Sequence, residues 1–369
     1  MPSLRARRRQ HRRRYYPEPT CLNLGEAFMD WCQDGEEEEV RQVLAAGQAD
    51  DWGATRALFF ACDEPKVLRL LLEHGADPNE AELRWWYKFD CLKILADFGL
   101  DVEAKGHISL QNFSSNRVAL KWLLDQGADI NKSDCRRVGE WGMRIEGAKD
   151  DSLHVLNMVA ANGDIKLLEY LVARGADLTK SLALHAVSSC HEPAKSLPIL
   201  SYLLDEQHMG IDTDTDEFRS DNKNKEYDSG TPLCVAIYGR NLPIVLELMA
   251  RGADIHTSSI SGCEPIKKAI RDSRDMENGS LLPIIQPLIA AGVGATYAMS
   301  HAIRALRLRP AGVLLRSGAD AVAALEEARE QDEKIQHDQG LNWSRAMDYR
   351  SRSRNMVSLL SRWVKDNPS

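Results

Sequence analysis

Residues 229–254 read SGTPLCVAIYGRNLPIVLELMARGAD. Thr231-Pro232-Leu233 marks a helix start, with Pro232 near the first helical position, where its missing N–H costs nothing. A tight turn follows, and a Leu-rich stretch then resumes the helical pattern. The stretch closes on Gly252-Ala253-Asp254. Glycine belongs there because the chain leaving a helix turns into left-handed geometry that a Cβ penalises. The expected unit is helix, turn, helix, and a glycine stop.

The closing phrase recurs along the chain. It reads LLLEHGAD (Gly75, Asp77), ILADFGLD (Gly99, Asp101), WLLDQGAD (Gly127, Asp129), YLVARGAD (Gly175, Asp177), ELMARGAD (Gly252, Asp254) and VLLRSGAD (Gly318, Asp320). Weaker copies are VLAAGQAD (Gly47), LLDEQHMGID (Gly210, Asp212) and LIAAGVGA (Gly292). In VLNMVAANGDIKLLEYLVARGAD, Leu156, Val159 and Ala160 share one face, Gly163 breaks the chain, and Leu167, Leu168 and Leu171 resume the stripe. Successive phrase glycines are 28, 24, 28, 48, 35, 42, 40 and 26 residues apart, so some units are clipped and others carry insertions.

These residues resemble the ankyrin repeat. The Gly230-Thr231-Pro232-Leu233 start, tight turn, Leu-rich second helix and Gly-Ala-Asp end are similar to that family's unit of about 33 residues, with Cys234 where the family usually has His. Gly262-Cys263-Glu264-Pro265-Ile266 and Ser181 to Ala186 are degraded copies of the start. The divergence between units resembles fungal ankyrin proteins. The resemblance implies an all-α fold, an ankyrin-repeat solenoid of helix-turn-helix units with β-turn fingers. It would cover 21–320 in about nine divergent repeats, after an Arg-rich disordered tail at 1–20 and before a C-terminal helical cap at 321–369. It also implies protein binding as the role.

Two fingers are unusually long. Residues 131–151 hold five bases and five acids, including Arg136 and Arg137 beside Trp141. Residues 212–228 hold seven acids, Asp214 and Asp216 among them, against three bases. Long loops on a rigid scaffold often carry function. Asp212-x-Asp214-x-Asp216 fails as a calcium loop, because Glu217 and Lys223 stand where glycine and the terminal Glu are needed. Trp52, in the short segment Asp51-Trp52-Gly53 read as a finger, and Trp85, Trp86 and Tyr87, in a stunted first helix, fall where the family lines its concave face. Trp and Tyr are the side chains most enriched at binding hot spots. Trp52, Trp85, Tyr87, Arg136, Arg137, Trp141, Asp214 and Asp216 are therefore the candidate partner-binding residues. Trp86 and Trp122 are assigned to packing.

The two ends differ in character. Residues 1–16 carry seven arginines (5, 7, 8, 9, 12, 13 and 14) and no acid. Arg7, Arg8, Arg9, Arg12, Arg13 and Arg14 form a basic cluster open to three readings: a solvated tail, a nuclear-import or nucleic-acid contact, and a mitochondrial presequence with too few apolar residues. Residues 322–337 read as a polar helix, and 342–366 as a second with Met356, Leu360, Trp363 and Val364 in one stripe. Its simplest role is to cap the array, and a basic amphipathic helix is also a partner helix for calmodulin or a membrane surface.

Composition sets the exclusions. The net charge of −8 leaves −15 on the chain after residue 16, which disfavours nonspecific contact with nucleic acid. No 18-residue apolar run exists to span a membrane. The closest two of the eight cysteines are eleven positions apart, so C-x-x-C metal and redox motifs are absent and a reduced intracellular chain, cytoplasmic or nuclear, is expected. No nucleophile elbow, P-loop, H-E-x-x-H or G-x-G-x-x-G motif occurs. The expectation is a monomeric, non-catalytic scaffold with no cofactor and no metal, binding an unidentified protein partner on its concave face and fingers. The alternative is a nuclear regulatory protein that uses the N-terminal arginines.

Overall fold

The structure is a computed structural model that describes residues 24–49, 51–81, 83, 88–132, 153–190, 192–215, 230–257, 264–271, 281–337 and 343–368. Among the described residues the regular structure is entirely helical. The chain divides into two compact units, residues 1–159 with 166–180, and residues 160–165 with 181–369.

The first unit holds α1 (Leu24–Asp34), α2 (Glu37–Ala45), α3 (Asp51–Ala57), α4 (Pro65–Glu73), α5 (Phe89–Asp97), α6 (Val102–Lys105), α7 (His107–Leu110), α8 (Arg117–Asp125) and most of α9 (His154–Ala161) and α10 (Ile165–Ala173). The second holds α11 (Ala183–Ser188), α12 (Pro193–Ser201), α13 (Pro232–Tyr238), α14 (Leu242–Ala250), α15 (Pro265–Arg271), α16 (Leu282–Ala290), α17 (Ala295–Arg304), α18 (Leu308–Arg316), α19 (Ala321–His337) and α20 (Trp343–Asp366). In the second unit α11, α13, α15, α17 and α19 pack in one row, each on the next. Helices α12, α14, α16 and α18 form the other row, and α20 packs on α18 and α19. In the first unit α1 packs on α3, α2 on α4, and α4 on α5.

Sequence dictates how the longer helices stop. At the end of α4, Ala76 N–H donates to Leu71 O and Gly75 N–H to Leu72 O, both at 3.1 Å. These are the paired bonds of a Schellman stop. Gly75 has φ 87°, open to a residue without Cβ. The same pair of bonds closes α5, α8, α10, α14, α16 and α18, at Gly99, Gly127, Gly175, Gly252, Gly292 and Gly318. The accepting residues Leu71, Leu95, Leu123, Leu171, Leu248, Leu288 and Leu314 are all fully buried. Each stop therefore seats a leucine whose full burial contributes about 1.5–3 kcal/mol.

A second repeated device ties several units together. The backbone N–H of the phrase aspartate donates to a side-chain oxygen, of the preceding unit for Asp101 to Asn79, Asp177 to Asn131 and Asp254 to Asp212, and of the same unit's first helix for Asp77 to Thr55 and Asp320 to Thr296, at 2.8–3.0 Å. Asn79 and Asn131 also donate through Nδ2 to Gly99 O and Gly175 O, at 3.1 and 2.8 Å. Asn131 lies just before the first long insertion, so stacking continues across 133–152. Arg174 strengthens that junction by bonding Asp125 at 2.7 Å.

Several expectations need correction. Trp52 lies in the first turn of α3, not in a finger. The LLDEQHMGID copy does not stop at Gly210. After α12, residues Tyr202–Glu206 widen into a π-turn and the left-handed residue is His208, at φ 53°. Trp122 is half-buried, its ring 5.5 Å from that of Phe89. Met356 and Leu360 of α20 are buried and Trp363 and Val364 half-buried, so the apolar stripe weighed as a partner helix is covered at its first two residues within the chain.

Two turns between first and second helices use non-glycine residues with positive φ, Arg240 at 56° and Leu306 at 52°. Arg240 is exposed, so its side chain gains nothing there to offset the left-handed backbone. Arg240→Gly is expected to raise stability by up to about 1 kcal/mol in urea titration. A loss of stability would show that the arginine makes a compensating contact.

Candidate interaction surface

The row α13, α15, α17, α19 is tied together by side chains. Tyr238, at the end of α13, has its ring 4.4 Å from the Lys268 ammonium of α15. Glu264, just before α15, accepts from Tyr297 OH of α17 at 2.6 Å and from Lys267 Nζ at 2.5 Å. Glu327 of α19 accepts from Ser300 Oγ at 2.6 Å and Arg304 Nε at 3.2 Å. Tyr238 and Tyr297 remain 39% and 49% exposed although their polar and cationic neighbours are engaged. An exposed tyrosine held in place loses little side-chain entropy when it is covered.

The electrostatics of the cluster follow from these contacts. Burial pushes the Glu264 carboxyl up, but the Lys267 and Tyr297 hydrogen bonds outweigh it and hold the group below the usual carboxylate range. The same bond to Glu264 raises the Tyr297 phenol. Burial, assisted by Lys267, lowers the His301 imidazole, whose ring lies 4.8 Å from that of Tyr297.

Both depressed groups predict the same pH response. An unfolded chain would take up protons on His301 below about pH 6.5 and on Glu264 below about pH 4.5, while the folded chain resists. Their stabilisation is present above those values and is lost as pH falls through the lower folded-state values. The melting temperature should therefore drop on acidification below about pH 6.5. His301→Gln should flatten the upper part of that fall, and an unchanged slope would clear His301 of responsibility.

Of the residues marked for partner binding, Asp214 is fully described. It is 8% exposed and sits at the base of the second insertion, inside the fold. Trp52 is placed only by its backbone in α3. Trp85, Tyr87, Arg136, Arg137, Trp141 and Asp216 lie outside the described residues, as do Trp86, Gly262 and Cys263. The arginines of 1–16 also lie outside them. Asp214 is thus the one marked residue with a described side chain. Tyr238 and Tyr297 were missed by the sequence reading, because an aromatic in a short helix of a repeat reads as core.

Other surface features stand apart from this row. In the first unit Val118 on α8 and Met158 on α9 are exposed. His107, Gln111, Lys132 and His154 help line a cavity of about 20 Å³ in that unit, room for one water. His185 is buried and its Nε2 lies 2.9 Å from Thr213 O, a structural contact. Cys32, Cys62, Cys91 and Cys234 are buried and outside any disulfide, and burial raises the Cys91 thiol to about 12, far from nucleophilic. Among the described residues no three His, Cys, Asp or Glu side chains group to hold a metal ion, and no helix is long and apolar enough to cross a membrane.

No family model and no curated protein matches this chain.

Proposed function

We propose that this chain is a non-catalytic protein–protein interaction scaffold of the ankyrin type. Its partner lies across the first helices and fingers, the side that lines the concave face in that family. Tyr238 and Tyr297 serve as anchors and the ion-paired row between them as a polar rim. One observation carries the reading. Along α15, α17 and α19 the Glu264 and Glu327 carboxylates are engaged by Lys267, Tyr297, Ser300 and Arg304, while Tyr238 and Tyr297 stay exposed and held in place. That arrangement suits covering by another surface. The groups that meet there, Glu264, Lys267, Tyr297 and His301, include no nucleophile activated by a base. The repeated Schellman stops and the aspartate ladder support the ankyrin-type architecture, since seven helices close in one way and three units are tied to the one before by the same kind of bond.

The test compares affinity capture by the wild-type chain with capture by a Tyr238→Ala/Tyr297→Ala variant and by a Trp52→Ala/Trp85→Ala/Tyr87→Ala variant. Circular dichroism must show each variant folded. Partners that bind the wild type and vanish with the tyrosine pair are the expected result. Partners lost only with the second variant would move the site to the first unit. Capture of no specific protein by the wild type would overturn the scaffold reading.

A further inference from the structure

Thr215 and Gly230 flank the second insertion, with fourteen residues between them. The two ends are fastened to each other. Thr215 N–H donates to Gly230 O at 3.2 Å, and Gly230 N–H donates to Thr215 Oγ1 at 2.9 Å. Gly230 has φ 115°, a left-handed conformation open to glycine, and this lets one residue both give and accept here. Thr215 and Thr231 are buried, at 2% and 1% exposure, so the clasp is shielded from water. Thr231 then caps α13 by accepting from Cys234 N–H.

The clasp is one part of a heavily bonded junction. Asp254 N–H reaches Asp212 Oδ1 at 2.9 Å, and Arg251 reaches Ser201 Oγ at 2.9 Å and the Asp205 carboxylate. Asn241 Nδ2 donates to Cys190 O. Gly239 lets the turns meet, since a Cβ there would lie 3.2 Å from Ser189 Cα. Helix α11 packs on α13 and α12 on α14, burying Leu184, Val187, Leu200, Leu233, Ile237 and Leu248 almost completely. The first insertion is built differently. Its flanks Asn131 and Leu153 bond forward to Gly175 and Lys180, and among the described residues no bond joins the two flanks to each other.

We propose that this junction is closed by its own non-covalent clasp, so that the chain can be interrupted within 216–229 without its two sides separating. The peptide link across the insertion supplies proximity, equivalent to a local concentration of about millimolar. The buried leucines and the hydrogen bonds supply the affinity.

The experiment keeps the full chain. A specific protease site is inserted between Lys223 and Asn224, and the folded protein is purified and then cut. The two pieces are expected to elute together at about 1 μM and to keep the helical circular dichroism signal and a cooperative melt. Thr215→Val in the cut protein should weaken association about fivefold, the share of one net hydrogen bond. Separation of the pieces after cutting would overturn the proposal, as would an inserted site that the protease cannot reach in the folded protein. An unchanged affinity for the Thr215→Val pair would overturn the role of the clasp.

Discussion

Replacing Leu248 by alanine is expected to cost the second unit about 3 kcal/mol, the largest effect of any single substitution considered. Leu248 is fully buried in α14, which packs on α12, α13 and α16. Its carbonyl also receives Ala253 N–H at 3.0 Å in the helix stop, so the side chain anchors the point where the chain turns. Cavity formation adds to the lost transfer energy, because neighbours on three helices relax only in part. Leu246, on the same helix, is 44% exposed, and Leu246→Ala should cost under about 0.5 kcal/mol. Urea unfolding of the two variants makes the comparison. Losses within 1 kcal/mol of each other would mean that the two leucines share one environment, against the structure.

Asn241→Ala is expected to cost about 2–3 kcal/mol although it removes few atoms. Asn241 is 4% exposed. Its Oδ1 caps α14 by accepting from Ile244 N–H, and its Nδ2 donates to Cys190 O in the preceding turn. Truncation loses the cap, worth about 1 kcal/mol, and strands the Cys190 carbonyl, worth about another 1–2 kcal/mol. Asn241→Ser should recover the cap alone. If serine and alanine variants melt together, the cap carries nothing. If serine restores the wild-type value, the Cys190 bond carries nothing.

The helix stops were legible because a glycine at positive φ is a local demand that residue identity records directly. Gly252 and Gly318 could be placed from the phrase alone. The stop at His208 was not legible, since the π-turn over Tyr202–Glu206 adds a residue and shifts the exit ahead of Gly210. Trp52 was misplaced because the early units lack a Thr-Pro-Leu start to mark α3. Tyr238 was hidden for another reason. Helix α13 lies among α11, α14 and α15, so Pro232 to Ile237 are all buried and no apolar period distinguishes the outward residue. The ladder could have been read from Asp77-Pro78-Asn79 and Asp129-Ile130-Asn131. In each, the aspartate caps the asparagine N–H at 2.8 Å, aiming its side chain at the next unit.

That ladder has an evolutionary corollary. The stretch Asp77-Pro78-Asn79 carries both a plug, the Asp77 N–H that enters Thr55, and a socket, the Asn79 side chain that receives Asp101 N–H. Both halves lie within a few residues of one another in the gene. A segment duplicated in frame arrives with its plug and its socket already matched, and a segment deleted leaves neighbours whose fittings still correspond. The array can lengthen or shorten by copying errors without new fittings being invented, which accords with glycine spacings that range from 24 to 48 residues in a single chain.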